Sequence, residues 1–471
     1  MASEVPEDIL MQVFAALDVP DLVRAGSVCS AWHGAYTSLC NLGRWKQPQT
    51  PCLLYTAKSR GESAGCLYSL AEKKSYTLAL PDPPIRRMHF LGSAYGWIIA
   101  ADERSELHLL NPITGDQIAL PSVTTFEYVT PVYDENGAVK EYSSYCALPG
   151  SCGPWTYGLH KLRDRFFHKV FLSSDPSTGD YIVAAIHNTR FRLSFARNGD
   201  DCWTPLPPHH FFADCVFKDG LMYAVTTKGA IHVFDFSGPT VKQKVVLGKM
   251  RDYSFQRVYI VQTPCGDLLQ VWSDIDSIPE NESVSEDSET DALEEDDDFS
   301  EPEWSSDYEP HRHYCIPFKL YRVDLAANKL VETSSLGENV LFIGQSQTVC
   351  LNAQEHPQLK ANHIYFTDTD EYITVRKNMT RDIGVLSLCD NSKEKITSPQ
   401  IWSNWPSPMW ITPNPRKMNS AGEKSAEGTD VAETPPASCW TLVFQRGWSV
   451  AFVFLLFSLF SFFMVYVIVY C

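Results

Sequence analysis

The chain has 471 residues, 44% hydrophobic and 12% aromatic, enough to bury a sizeable core in roughly two to four domains. Its net charge of −18 is unevenly placed: 17 acidic and no basic side chains lie between Asp274 and Glu309, so the remainder is close to neutral. No basic stripe along the sequence matches a phosphate backbone, and nucleic acid is not an expected partner.

The first stretch, Val5 to Trp32, divides into short helices with apolar positions on one side. Ile9, Leu10, Val13, Phe14 and Leu17 recur at the steps that line one helical face. Pro6 suits a first helical turn, and Glu7 and Asp8 suit its positive end. Pro20-Asp21 breaks and restarts the chain, and Ser27 is the expected cap of a third helix. About forty residues are too few to bury these side chains alone. Either the unit docks on the rest of the chain, or it offers an apolar face to a partner; an amphipathic cap on a larger domain is the bland alternative.

The pattern resembles the F-box, the adaptor-binding module of cullin-type ubiquitin ligases. The matching positions are Val5, Pro6, Ile9, Leu10, Phe14, Leu17, Pro20, Leu22, Val28, Cys29 and Trp32, with Val5 where the family has Leu. The resemblance implies an F-box over residues 1–45, with these side chains as adaptor-binding residues for a Skp-type adaptor that bridges to a cullin.

From residue 50 to 415 the signal changes to strands: short Val-, Ile-, Leu-, Phe- and Tyr-rich runs between Gly, Asn, Asp and Pro clusters. Three windows of equal length, 67–81, 107–121 and 193–207, each read strand, polar turn, strand, Leu-Pro. The turns at Asn111–Asp116 and Asp175–Asp180 hold the Pro and Gly of a tight reversal. Looser copies follow at Ile231–Leu247, Tyr321–Leu336 and Ile383–Pro399. The first two windows start 40 residues apart. A period of about forty with some four short strands per unit marks a β-propeller, here of six or seven blades, with a β-sandwich pair as competitor. Insertions are expected at Ser122–Arg165 and at 274–311. Phrases such as LGSAYGWIIAADERSELHLLNPITGDQIALP, FKDGLMYAV and PSPMWITPNP are similar to a large plant F-box family whose C-terminal domain, once of unknown function, is described as kelch-like or as a KIB-type propeller.

Residues 280–309 are low in complexity and self-repelling, which predicts a disordered insertion in the fifth blade. A tolerated surface loop is the bland reading; an electrostatic bait for a basic substrate and a phosphorylated switch are the functional ones. Ser283, Ser288, Ser300 and Ser306 each precede an acid by three residues and are the candidate phosphorylation positions. A polar linker, 416–447, leads to Trp448–Tyr470, 23 residues without a charge. At about 1.5 Å per residue this run spans roughly 34 Å, enough for a bilayer core of about 30 Å. It reads as one C-terminal transmembrane helix, a tail anchor with the bulk of the chain in the cytosol. A removed lipid-anchor signal would require a secreted chain.

The fourteen cysteines show no CxxC pair, and without a signal peptide free thiols in a reducing compartment follow. His311, His313 and Cys315 lack a second ligand pair at zinc-finger distance. No phosphate loop, nucleophile elbow or HExxH is present. His209-His210 reads as an exposed turn, and Trp97, Trp203, Trp272 and Trp402 read as blade-core aromatics in preference to a sugar platform. The expectation is a mainly β, non-catalytic chain without cofactor or metal: the substrate-recognition subunit of a Skp-cullin-F-box ligase, held at a membrane, whose propeller binds an unidentified protein substrate. Two alternatives stay open, a membrane-tethered scaffold that engages no cullin and an enzyme with an axial propeller pocket.

Overall fold

The computed structural model describes residues 5–45, 49–145, 154–207, 211–251, 256–274, 318–367, 375, 377 and 380–418. All of them lie in the larger of two compact units, residues 1–426. Helix α1 (Glu7–Ala15) starts after Pro6 with Glu7 and Asp8 in its first turn, where acids complement the helix dipole. Helix α2 (Val19–Gly26) has Pro20 in its first turn, where the missing amide proton costs nothing. Helix α3 (Ser30–Leu42) begins after Cys29. Ser27 caps nothing there; it closes α2 and donates to Val23 O at 3.0 Å. The three helices share one core of Leu10, Phe14, Leu22, Ala25, Ala35 and Leu39.

The rest is sheet. Six sheets are blades, each beginning with a strand at the centre: Met409–Ile411, His89–Ala94, Phe167–Leu172, Phe212–Lys218, Gln256–Gln262 and Val349–Asn352. Blade 1 is a composite, since its inner strand comes from the end of the described chain and pairs antiparallel with Cys52–Tyr55. Blades 2 to 5 are four-stranded antiparallel meanders, and blade 6 has five strands, with Asn339–Ile343 parallel to His363–Phe366. A separate three-stranded sheet (Val129–Tyr133, Val139–Ser144, Trp155–Gly158) and helix α4 (Leu159–Phe166) fill the connection between blades 2 and 3. An apolar core joins each blade to the next. Leu54 and Ile98 join blades 1 and 2, Ile99 and Val170 blades 2 and 3, and Phe171 and Phe212 blades 3 and 4. Val225 and Val258 join blades 4 and 5, Val271 and Leu341 blades 5 and 6, and Phe342 and Leu53 return to blade 1. The sheets therefore close into a ring instead of packing as a sandwich.

The membrane expectation is corrected. Among the described residues no helix is long and apolar enough to cross a membrane. The longest, α3, has 13 residues, about 20 Å at 1.5 Å per residue against a bilayer core of roughly 30 Å. The run 448–470 on which the transmembrane helix was expected lies outside the described residues. The single-pass anchor, the membrane partner and the membrane localisation are accordingly withdrawn.

Candidate functional site

Helix α1 has two apolar sides with different fates. Leu10 and Phe14 turn into the three-helix core, while Val5, Ile9 and Val13, four residues apart, stay 41%, 43% and 39% exposed. Leu22 is fully buried, and Leu17 and Trp32 are half-buried against the same core. The Trp32 ring meets Phe14 edge-on at 5.2 Å between centroids. Pro20 is half-buried, Pro6 and Cys29 are exposed, and Val28, in the link between α2 and α3, is 62% exposed. Of the residues singled out from sequence, Leu10, Phe14 and Leu22 thus build the module itself. Val5, Pro6, Ile9, Val28 and Cys29 stay exposed on its surface. Val13 was not among them; its four-residue step from Ile9 carried the signal.

The module is mounted on the propeller through α2. Val19 is buried in the core that joins blades 1 and 2, with Leu54 and Met409, and its amide donates to Gln49 Oε1 at 3.1 Å. Arg24 donates to the Tyr76 hydroxyl and lies 3.5 Å from Glu72 Oε2, both on the outer hairpin of blade 1. Burial, with Glu72 beside it, pushes the Tyr76 phenol up to about 12, so it stays a donor. Gly43 ends α3 at a φ of +61°, with the Arg416 guanidinium 3.0 Å from where a Cβ would stand. This arrangement positions the module on the outer edge of blade 1.

The axis, where a propeller enzyme would hold its substrate, is occupied by the protein. Lys169 of blade 3 and Asp214 of blade 4 pair at 2.9 Å, and Asp214 is fully buried. Lys169 also donates to Gly344 O at 3.2 Å, and Asp214 Oδ2 accepts from the Ile260 amide at 3.0 Å and from Thr348 Oγ1 at 3.2 Å. Burial pushes the Asp214 carboxyl up, against the pull of Lys169 and the Ile260 amide. Residues 344–348 cross the axis, and the Gln347 amide donates to Ser93 O of blade 2 at 3.1 Å. Two interacting groups held by four blades are a crosslink. Among the described residues no group of three or more His, Cys, Asp or Glu is placed to hold a metal. Trp97, Trp203, Trp272 and Trp402 are all buried. The Trp97, Trp203 and Trp272 indoles donate to Asp175, Pro121 O and Gln270. His209-His210, the 311–315 cluster, Ser283, Ser288, Ser300 and Ser306 lie outside the described residues.

Comparison with known proteins agrees with this division. Residues 2–39 match the F-box-like family model, and residues 67–387 match the KIB1-4 beta-propeller model. The chain belongs to the KIB1-4 beta-propeller family. Of the two descriptions the sequence resemblance offered, this match carries the KIB type and not the kelch type. It is 27% identical to "F-box only protein 7" of Arabidopsis thaliana over 52% of this chain and 60% of that protein. It is 28% identical to "F-box protein KIB4" of the same plant over 49% of this chain and 58% of that protein. The chain thus spans about 60% of the length of these relatives. A further Arabidopsis F-box protein is 24% identical over 88% of this chain and 95% of its own length.

Proposed function

We propose that the chain is the substrate-recognition subunit of a Skp-cullin-F-box ubiquitin ligase, in which the helical module binds the adaptor and the propeller binds a protein substrate. The observation that carries this reading is the apolar edge of the F-box. Val5, Ile9, Val13 and Val28 stand exposed on a module whose own core is already complete. Exposed side chains of this size gain free energy when a partner covers them, about 1.5–3 kcal/mol each when fully buried. The family match over both parts supports it. The chain performs no bond chemistry in this role: it raises the local concentration of a substrate near an enzyme supplied by the complex.

The test separates interface from core. Wild type is expected to recover Skp-type adaptor and cullin in a pull-down. Ile9→Glu with Val28→Glu is expected to abolish recovery without moving the melting temperature. Phe14→Ala, by contrast, opens a cavity in the module and loses the adaptor through unfolding, at a cost of about 3–5 kcal/mol. Failure of the wild-type chain to recover the adaptor would sink the proposal and favour a scaffold that engages no cullin.

A further inference from the structure

Between blades 3 and 4 lies an open cavity of about 340 Å³, within the roughly 300–1,000 Å³ of small-molecule sites. Its walls are hairpin turns: residues 179–182 and 197–198 of blade 3, and 220 and 236–237 of blade 4. In antiparallel blades these turns lie on the same side of the ring as the Glu72 turn of blade 1, where the F-box sits. Two glycines keep the space open. Gly179 and Gly220 stand at φ of +83° and +76°, and at either one nothing lies within 4 Å of where a Cβ would be.

Strand alternation decides what faces this space. Leu193 and Phe195 pack in the core between blades 3 and 4, and Arg197, two residues on, falls on the same side. Its guanidinium lies 5.1 Å from the Phe195 ring and donates to Phe236 O at 3.2 Å and to Gly238 O at 3.4 Å. A ring and two carbonyls hold it still, yet among the described residues no carboxylate pairs with it. Asp200 accepts only from its main-chain amide, at 2.8 Å. Asp180 lines the same cavity; its main-chain oxygen accepts from Ser174 Oγ at 2.5 Å, while its carboxylate has no partner among the described residues. The two charges thus share a cavity without meeting. Phe236 and Ile182, both packed in the core of blades 3 and 4, supply its apolar wall.

We propose that this cavity binds a free α-amino acid with an apolar side chain. The ligand's carboxylate takes Arg197, its ammonium takes Asp180, and its side chain lies on Phe236 and Ile182. A planar carboxylate fits a fixed guanidinium through two parallel hydrogen bonds, and such charge-assisted bonds are the strong ones. A simple anion would meet Asp180 and a simple cation Arg197, so a ligand carrying both charges is the one that leaves neither unpaired. This binding goes beyond substrate recognition and does not depend on it. The cavity is on blades 3 and 4, away from the α2 mount on blade 1, so ligand and adaptor do not compete.

The experiment titrates the purified full chain, by calorimetry, with L-phenylalanine and L-leucine. Three cut-down probes accompany them: phenylpropionate without the ammonium, phenethylamine without the carboxylate, and N-acetyl-phenylalanine amide without either charge. Both amino acids are expected to bind saturably, and each cut-down probe about tenfold or more weakly. Asp180→Asn should bind phenylalanine no better than phenylpropionate, and Arg197→Gln should bind it no better than phenethylamine. Asp324→Asn, in a turn of blade 5 outside the cavity, should leave every affinity unchanged. Arg197 also ties the two blades, so its variant is read only if its melting temperature holds. Asp180 is exposed and tied by its main chain alone, so its variant decides the matter by itself. Three outcomes would overturn the proposal: no saturable binding of either amino acid at millimolar concentration, equal binding of the acetylated amide, or an unchanged preference for phenylalanine in Asp180→Asn.

Discussion

His187 shows how strongly this fold sets the chemistry of a single residue. It is fully buried in blade 3, with Nε2 2.8 Å from Ser194 Oγ. Burial first, then the neighbouring His168 and Arg192, pushes its pKa from 6.5 down to about 3. The sign follows from linkage: below 6.5 the unfolded chain binds a proton that the folded chain refuses. This residue therefore contributes a loss of stability as pH falls from about 6.5 towards 3, at up to about 1.4 kcal/mol per pH unit. Urea melts of wild type and His187→Gln across that window should show a shallower loss in the variant; parallel curves would refute it. At the same scale, Phe14 and Ile9 show where sequence reading stopped. Both lie on the apolar steps of α1, yet one is 1% and the other 43% exposed. A periodic pattern states that a helix has an apolar side; it does not state whether the chain or a partner covers each position.

Helix α2 couples the F-box to the ring. Val19 is 1% exposed and belongs to the core of blades 1 and 2, although its helix neighbours Leu22 and Ala25 belong to the three-helix core. Val19→Ala should cost roughly 2 kcal/mol from two lost methyl groups and the cavity they leave. Hydrogen exchange should then quicken in α2 and in Cys52–Tyr55 together. Faster exchange in α2 alone would mean that the two parts are not coupled. Legibility also varied by element. Each of the six windows read from sequence falls on the outer hairpin of a blade, Ala64–Ala79 and Leu107–Ala119 among them. Those strands are adjacent in sequence and joined by tight polar turns, and the outermost of each pair, such as Lys74–Ala79 and Gln117–Ala119, is exposed, so turn chemistry and the change from buried to exposed both speak. The second strands of blades 1 and 2, Cys52–Tyr55 and Trp97–Ala101, are buried at every position and do not alternate, so only their apolar composition speaks for them. Asn339–Ile343, wedged into blade 6 beside a parallel partner, has no local signature at all.

Closure of the ring depends on three residues. Met409, Trp410 and Ile411 pair with Leu54, Leu53 and Cys52, tying the end of the described chain to its first strand. Met409 is fully buried among Leu54, Ile98 and Ala100, and Trp410 packs edge-on to Phe342 of blade 6. The closing strand thus belongs to two inter-blade cores at once. An open array of repeats unfolds piecewise, because each unit contacts only its neighbours. A closed ring has no free end from which to start, and the axial Lys169–Asp214 pair, tied to blades 5 and 6 through Ile260, Thr348 and Gly344, adds a second set of long-range ties. Met409→Asp should break closure, since a carboxylate in that apolar cluster has no partner and costs several kcal/mol. Met409→Leu, similar in volume, should cost less than about 1.5 kcal/mol. The decisive measurement is hydrogen exchange in blade 4, which does not touch residue 409. If Ile231–Asp235 and Leu221–Thr226 lose protection as fast as Cys52–Tyr55, the ring unfolds as one body and both of its faces are lost with it. If only blade 1 exchanges faster, each blade stands on its neighbours alone, and the seam of blades 3 and 4 would survive the loss of the F-box mount.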